Sequence, residues 1–173
     1  MNRVLGKIEG SEDGPLIICI AALHGNEQIG LHAFRNVFSA IQSHEIPFKG
    51  KLVGLIGNVK ATMGNQRFLD YDLNRCWNDA HIDAVVRENK NDEAEDEELL
   101  ELIQMIELET AGSHSETIVI DLHATSADKG NFLVVPGAIA SHKVVKAIKL
   151  PVVVNLESYL EGTLLEYFHS KGY

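Results

Sequence analysis

Three short apolar segments stand out in the hydrophobic pattern, at residues 16–22, 52–56 and 117–122. Each is a continuous run with β-branched residues and lacks the alternation of a half-exposed strand. Such runs are typical of strands covered on both faces in a parallel or mixed sheet. The pattern therefore predicts three buried strands. Weaker patterns predict an edge strand and two shorter strands, at residues 3–10, 131–135 and 152–155.

Apolar residues recur at helical spacing between these strands. The repeat is clearest at residues 27–43, where Ile29, Phe34 and Val37 predict one buried helix face. Further helices are predicted at residues 92–110, 137–148 and 162–169. Strands that alternate with helices indicate an α/β fold with a mixed, mostly parallel sheet flanked by helices. We expect a single domain over residues 1–173.

The chain is acidic, with 25 acidic and 15 basic residues and a formal net charge of −10. A negative field disfavours nucleic acids and anionic membranes, because both require a basic surface. No partner of either kind is expected. Much of the excess lies in residues 95–102, which we interpret as a solvated helix face.

The N-terminus and the cysteines indicate the cellular location of the protein. The N-terminus has no apolar signal segment, and no apolar run reaches the length needed to span a bilayer. Cys19 and Cys76 are the two cysteines, and Cys19 lies in an apolar strand where a buried free thiol is usual. These features predict a cytoplasmic protein. A homo-oligomer is left open.

Two predicted strands deliver histidines at their C-terminal ends, His24 and His123, at the edge where α/β sheets bind ligands. Glu27 follows His24 by three residues, with Gly25 between them to allow a tight turn. Two histidines and one carboxylate, with a position open for water, are typical of catalytic zinc. Asp121 is the candidate for a carboxylate that does not bind the metal itself but orients one of the metal-binding side chains.

Alternatives to this zinc site remain open on spacing alone. His-x-x-Glu is a loose pattern, and the chain has eight histidines, so ordinary surface or capping histidines would explain it as well. Non-haem iron uses a similar set of ligands, so the ligand types do not decide the metal.

Residues 57–80 show no sustained period and are predicted to form a long polar loop, which is usually functional. This loop carries Arg67, Asn74 and Arg75. Arginine binds carboxylates in bidentate fashion, so an anionic small-molecule substrate is expected beside the metal. The alternative is an exposed loop in which Arg75 pairs with Asp70 or Asp72.

Three motifs follow one another along the chain: His24-Gly-Asn-Glu-Gln-Ile-Gly30, then Gly57-Asn-Val-Lys-Ala61 leading to Arg67-Phe-Leu-Asp-Tyr-Asp-Leu-Asn-Arg75, then Asp121-Leu-His-Ala-Thr-Ser126. With these motifs, nearly the whole chain resembles the succinylglutamate desuccinylase and aspartoacylase family, relatives of the zinc carboxypeptidases. The resemblance implies a zinc-carboxypeptidase-like (phosphorylase/hydrolase-like) fold.

The resemblance also implies roles for six residues. It assigns zinc binding to His24, Glu27 and His123. It assigns substrate binding to Arg67, Asn74 and Arg75.

One expected part of the family's site has no clear match. The general base of the family is a glutamate that ends an apolar strand, and the resemblance implies that this strand follows Tyr173. Glu157, Glu161 and Glu166 are near, but none ends such a strand. We therefore expect the family's N-terminal zinc domain only, or a truncated form, without the family's C-terminal part.

Two functions are consistent with these residues and motifs. The first is a zinc-dependent hydrolase that cleaves an amide or ester bond in a small carboxylate-bearing substrate, such as an N-acyl amino acid. The second is a non-catalytic domain that binds zinc or ligand but lacks the base. The identity of the acyl group is left open.

Overall fold

The computed structural model describes residues 1–43, 46–112, 114–125, 130–156 and 159–173. Strands and helices alternate along these ranges, which confirms the predicted α/β class. The strands are β1 (Val4–Glu9), β2 (Leu16–Ala21), β3 (Lys51–Ile56), β4 (Thr117–Leu122), β5 (Leu133–Val135) and β6 (Val152–Val154). The helices are α1 (Ile29–Gln42), α2 (Val59–Gly64), α3 (Asp79–Arg87), α4 (Ala94–Thr110), α5 (Lys143–Ala147) and α6 (Leu164–Ser170).

The main sheet has the strand order β1-β3-β2-β4. Strands β3, β2 and β4 are parallel, and β1 pairs antiparallel with β3 at one edge. The parallel strands are in step, because Ala21 pairs with both Ile56 and Leu122. All three strands therefore end at the same level, and the segments that leave them start side by side.

Helices cover both faces of this sheet. Helix α1 packs on one face, where the ring of Phe34 occupies the space that a side chain at Gly54 of β3 would need. Helix α4 covers the other face with Leu99, Leu102 and Ile106, which belong to the main hydrophobic cluster. The sheet is thereby fixed between two helical layers, and its strand ends form a rigid base for a site.

Several predicted elements differ from the structure. Strands β5 and β6 form a separate two-stranded parallel sheet and do not extend the main one. The helix predicted at residues 137–148 is divided into a 3-10 turn at Gly137–Ile139 and the five-residue α5. The loop predicted at residues 57–80 contains α2 and a 3-10 turn at Leu73–Arg75, and α3 follows. These elements are short, so the hydrophobic period is too brief to mark them.

The acidic run at residues 95–102 is not the solvated helix face that the charge pattern predicts, and the prediction is wrong for three of its acids. The exposed fractions of Glu95, Asp96 and Glu98 are 0%, 6% and 3%. Glu97 and Glu101 do face the solvent. The buried acids accept hydrogen bonds from the start of α2 and from the loop before α3, and such partners cannot be read from the charge pattern. Among the helices of the described residues, none is long and apolar enough to cross a membrane.

Candidate metal site

Two strand ends of the main sheet carry the candidate ligands. His123 follows β4 directly. After β2, Ala22 adopts a φ of +55°, which turns the chain away from the strand direction. His24 and Glu27 then form a single turn, in which the Glu27 N–H donates to the His24 carbonyl oxygen at 3.0 Å. This turn brings the two side chains to the same side, as the spacing predicted.

Gly25 has a different role from the one predicted. Its backbone φ is not positive, so the turn itself does not require glycine. A Cβ atom at this position would overlap with the backbone of Ala61 and Thr62 in α2. Gly25 also donates its N–H to the Arg67 carbonyl oxygen at 3.1 Å. Glycine is therefore needed for the close approach between the ligand turn and the following loop.

The structure brings His24, Glu27 and His123 together. The Nδ1 atom of His24 lies 2.8 Å from Glu27 Oε1, and Nδ1 of His123 lies 3.1 Å from Glu27 Oε2. One ligand atom from each of the three residues lies within 4.8 Å of the others. His24 is almost fully buried, whereas the His123 side chain is 32% exposed, so the cluster opens to solvent on the His123 side.

Each histidine has a carboxylate behind it. The Nε2 atom of His123 lies 2.6 Å from Asp121 Oδ2, as the alternation along the strand predicted. The Nε2 atom of His24 lies 2.9 Å from Asp72 Oδ1. The role of Asp72 was not predicted. The available signal was its place in the Asp-Leu-Asn-Arg motif, where an aspartate precedes the two polar residues assigned to substrate.

These contacts determine the charge of the cluster. Burial lowers the pKa of His123, but hydrogen bonds to Asp121 and Glu27 outweigh burial and raise that pKa to about 10. The pKa of His24 is raised by Asp72 and Glu27 against the same effect of burial. Burial raises the pKa of Glu27 and Asp72, but the histidines outweigh it and hold both pKa values well below their usual range. The carboxylates therefore favour positive charge at the two imidazole rings.

Arg67 is the substrate candidate that reaches the cluster. Its Nη2 atom lies 2.9 Å from His24 Nε2 and 3.1 Å from Asp72 Oδ2, and its Nη1 atom lies 3.4 Å from Glu27 Oε1. We assign the proton of His24 to Nε2, which donates it to Asp72 Oδ1. Arg67 Nη2 therefore donates to Asp72 Oδ2 and not to His24. The Arg67 guanidinium is 45% exposed and can reach a ligand from this position.

Asn74 and Arg75 lie differently. The side-chain oxygen of Asn74 accepts the Leu164 N–H at 2.9 Å, which joins the loop to the start of α6. The Arg75 guanidinium donates to the Asn74 carbonyl oxygen at 2.6 Å. The backbone N–H of Arg75 donates to the Asp72 carbonyl oxygen at 2.9 Å. In the described part of the chain, no hydrogen bond or ion pair joins the Arg75 guanidinium to the histidine cluster or to Asp70 or Asp72. Their substrate roles stay predictions.

The glutamates considered as bases are placed as follows. Glu166 accepts the Gly162 N–H at 3.0 Å, and Glu161 is exposed. Glu157 and the motif residue Ser126 lie outside the described residues.

Comparison with known proteins adds to this geometry. Residues 13–171 match the sequence profile of the family described as "Succinylglutamate desuccinylase/Aspartoacylase catalytic domain". The chain belongs to this family. The resemblance drawn from the three motifs is thereby confirmed.

Two curated relatives illustrate which named proteins of the family the chain is similar to. The "Probable aspartoacylase" of Acaryochloris marina (strain MBIC 11017) is 33% identical over 68% of this chain and 37% of that protein. The "N-acyl-aromatic-L-amino acid amidohydrolase (carboxylate-forming)" of Homo sapiens is 31% identical over 70% of this chain and 36% of that protein. The chain thus matches little more than one third of the length of these relatives, which are named as an aspartoacylase and an amidohydrolase.

Solved structures agree on the fold. The succinylglutamate desuccinylase from Chromobacterium violaceum has a TM-score of 0.72 at 18% identity, covering 94% of this chain and 50% of that chain. Murine aminoacylase 3 has a TM-score of 0.57 at 22% identity, covering 84% and 48%. These likenesses confirm the zinc-carboxypeptidase-like fold.

Proposed function

We propose that this chain forms the metal-binding part of a zinc-dependent deacylase, which hydrolyses the amide bond of a small carboxylate-bearing substrate such as an N-acyl amino acid. The observation that carries the proposal is the orientation of the two histidines. Each turns Nδ1 towards Glu27 and Nε2 towards an aspartate. A carboxylate behind each ligating histidine is the common second layer of protein zinc sites.

The residues present fit a divalent cation. Two imidazoles and one carboxylate are a usual donor set for zinc with an open coordination position. Glu27, Asp72 and Asp121 carry three negative charges, and Arg67 carries one positive charge. With neutral histidines the cluster has a net charge of −2, which a dication neutralises. The same ligands suit ferrous iron, so metal analysis is part of the test.

The chain's own residues have distinct roles in this proposal. His24, Glu27 and His123 would hold the ion, which would supply polarisation of the substrate carbonyl and acidification of water. Asp72 and Asp121 accept hydrogen bonds from the Nε2–H groups of His24 and His123, which leaves both Nδ1 lone pairs available to an ion. Arg67 binds a substrate carboxylate with its exposed guanidinium, close enough to Glu27 to place the substrate beside the metal.

Asn74 and Arg75 complete the proposed substrate site in a different way. Asn74 stabilises the loop against α6, and Arg75 offers an exposed guanidinium for a second anionic group. We propose that neither Glu161 nor Glu166 is the general base, since Glu166 stabilises the turn before α6 and Glu161 faces solvent. These placements also favour the second candidate, a domain that binds zinc and ligand without turnover.

Metal binding tests the proposal. The purified chain, stripped with a chelator and dialysed against zinc, is expected to retain about one zinc ion. His24→Ala, Glu27→Ala and His123→Ala should each remove most of it. His142→Ala is the matched control, because His142 also contacts a carboxylate, Glu116 at 2.8 Å, outside the cluster. Full zinc retention by the His24→Ala/His123→Ala double variant would refute the ligand set.

Turnover separates the two candidate functions. Zinc-loaded protein is assayed with N-acyl amino acids that carry succinyl or acetyl groups on acidic or aromatic residues. Release of the free amino acid that depends on zinc and is lost in His123→Ala supports the deacylase. Stoichiometric zinc without turnover of any substrate supports the binding domain.

A further inference from the structure

Glu95 is a fully buried carboxylate in the first turn of α4, with an exposed fraction of 0%. It accepts hydrogen bonds from three consecutive backbone N–H groups of the loop before α3. Leu69 N lies 2.8 Å from Oε1, and Asp70 N and Tyr71 N lie 2.8 Å and 3.3 Å from Oε2. The side-chain amide of Asn58 adds a fourth donor at 2.9 Å.

Only a carboxylate fits these partners. All four are N–H donors, and an ionised glutamate offers acceptors alone, whereas glutamine would turn its own NH₂ towards one pair of them. Burial of a charge is unfavourable unless it is fully hydrogen-bonded, so the four donors are what stabilise Glu95 there. The interaction is also reciprocal, because Asp70 Oδ2 accepts the N–H of Ala94 at the start of α4, at 2.8 Å.

The segment held in this way lies between two residues of the metal site. Arg67 precedes residues 69–71, and Asp72 follows them directly. Both contact His24, at 2.9 Å each from Nε2. We therefore expect a shift of residues 69–71 to move Asp72, which accepts from this histidine, together with Arg67, which donates to Asp72.

We propose that Glu95 is a positioning residue for the metal site, acting through residues 69–71 on Asp72 and Arg67. The inference rests on the proposed function, since it assigns Glu95 to the same zinc centre. Glu95 does not touch the ion or the substrate. Its role is to fix the carboxylate that faces His24 Nε2, and so the direction of the Nδ1 lone pair.

A purely structural role is the competing explanation, and Glu109 provides the matched control. Glu109 lies on the same helix and is 4% exposed, but it is ion-paired with Lys7 and Lys51 near the opposite end of the strands. Glu109→Gln removes a buried charge from its partners without reaching the site. Any effect that both variants share reports on folding, and an effect confined to Glu95→Gln reports on the site.

The experiment measures zinc affinity and amide exchange in the full chain. Zinc dissociation constants are obtained by competition with a chromophoric chelator, and exchange of the backbone amides of residues 69–71 is followed by mass spectrometry in zinc-free protein. Glu95→Gln is expected to weaken zinc binding about tenfold, as for loss of an outer-layer partner. It should also speed exchange of residues 69–71 at least about tenfold. Glu109→Gln should change neither.

The outcomes are distinct. A folded Glu95→Gln variant with unchanged zinc affinity overturns the proposal, and so does an equal loss of affinity in Glu109→Gln. If Glu95→Gln does not fold, Asp70→Ala removes the acceptor of the Ala94 N–H and loosens the same segment from its exposed side. Normal zinc affinity in that variant overturns the proposal. Absence of zinc binding in the unaltered chain refutes the proposed function instead. In that case the exchange measurement still tests Glu95, because unchanged exchange of residues 69–71 in Glu95→Gln refutes its effect on the loop.

Discussion

Asp72 offers the sharpest test of how this site is built, because one side chain joins three parts of it. Oδ1 lies 2.9 Å from His24 Nε2 and also accepts the Asn74 N–H at 2.9 Å. Oδ2 accepts from Arg67 at 3.1 Å. Asp72→Asn keeps the size and one oxygen but removes the charge, and its NH₂ group faces the Arg67 donor. Asp72→Ala removes all of these side-chain hydrogen bonds.

The contacts set the expected magnitudes. Loss of a carboxylate behind a ligating histidine weakens metal binding roughly 10–100-fold. The amide oxygen introduced by Asp72→Asn would still accept a hydrogen bond from His24 Nε2. We therefore expect this variant to lose zinc affinity by about tenfold, or ~1.4 kcal/mol, the smaller value of this range. Asp72→Ala should approach about 100-fold, or ~2.7 kcal/mol. The alanine variant also loses the cap of the 3-10 turn, which lowers the free energy of unfolding by about 1 kcal/mol.

Chelator competition at neutral pH measures both variants against the unaltered chain. Asp83→Asn is the control, since Asp83 forms an exposed pair with Arg87 at 3.3 Å on α3. The control should bind zinc normally, because exposed pairs contribute little and this one lies away from the cluster. If Asp72→Ala binds zinc within about twofold of the unaltered chain, the carboxylate does not orient His24 and its expected role is refuted.

Three further changes test other parts of the structure. Gly25→Ala should lower the free energy of unfolding by about 1–3 kcal/mol in urea denaturation, because its methyl group overlaps with the α2 backbone. Two lysines lower the pKa of Glu109 despite its burial. The contribution of this carboxylate to stability is therefore present above about pH 4–5 and is lost as the pH falls. In Glu109→Gln, the free energy of unfolding should decrease less over the same pH range. Arg67→Ala should raise KM for a carboxylate substrate about tenfold or more, unlike Arg35→Ala on the exposed side of α1.

The sequence is sufficient for the parts of the fold that depend on long apolar runs. The three parallel strands follow from such runs, and α1 follows from apolar residues at helical spacing. The strand ends fix the level of His24 and His123. The pairing of His123 with Asp121 follows from alternation along one strand. These features depend on neighbours in the chain or on a general rule for parallel sheets.

The remaining features depend on contacts between distant segments. Burial of Glu95 is decided by the N–H groups of residues 69–71, which no charge pattern reveals. The role of Gly25 depends on the approach of α2, and that of Asp72 on the position of His24. Helix α2 has six residues and is fixed by the Asn58 cap and by Glu98, so its hydrophobic period carries little information.

The in-step pairing of β2 with β4 has a consequence for the order of folding. Glu27 and His123 are 96 positions apart in the chain, and they meet only when these two strands have paired. Contacts of such long range form slowly, because a large loop must close first. A metal ion present during refolding would therefore meet only the local pair of proposed ligands, His24 and Glu27, at first. Bound at the proposed site, it would stabilise the finished sheet by mass action and would report on the docking of β4.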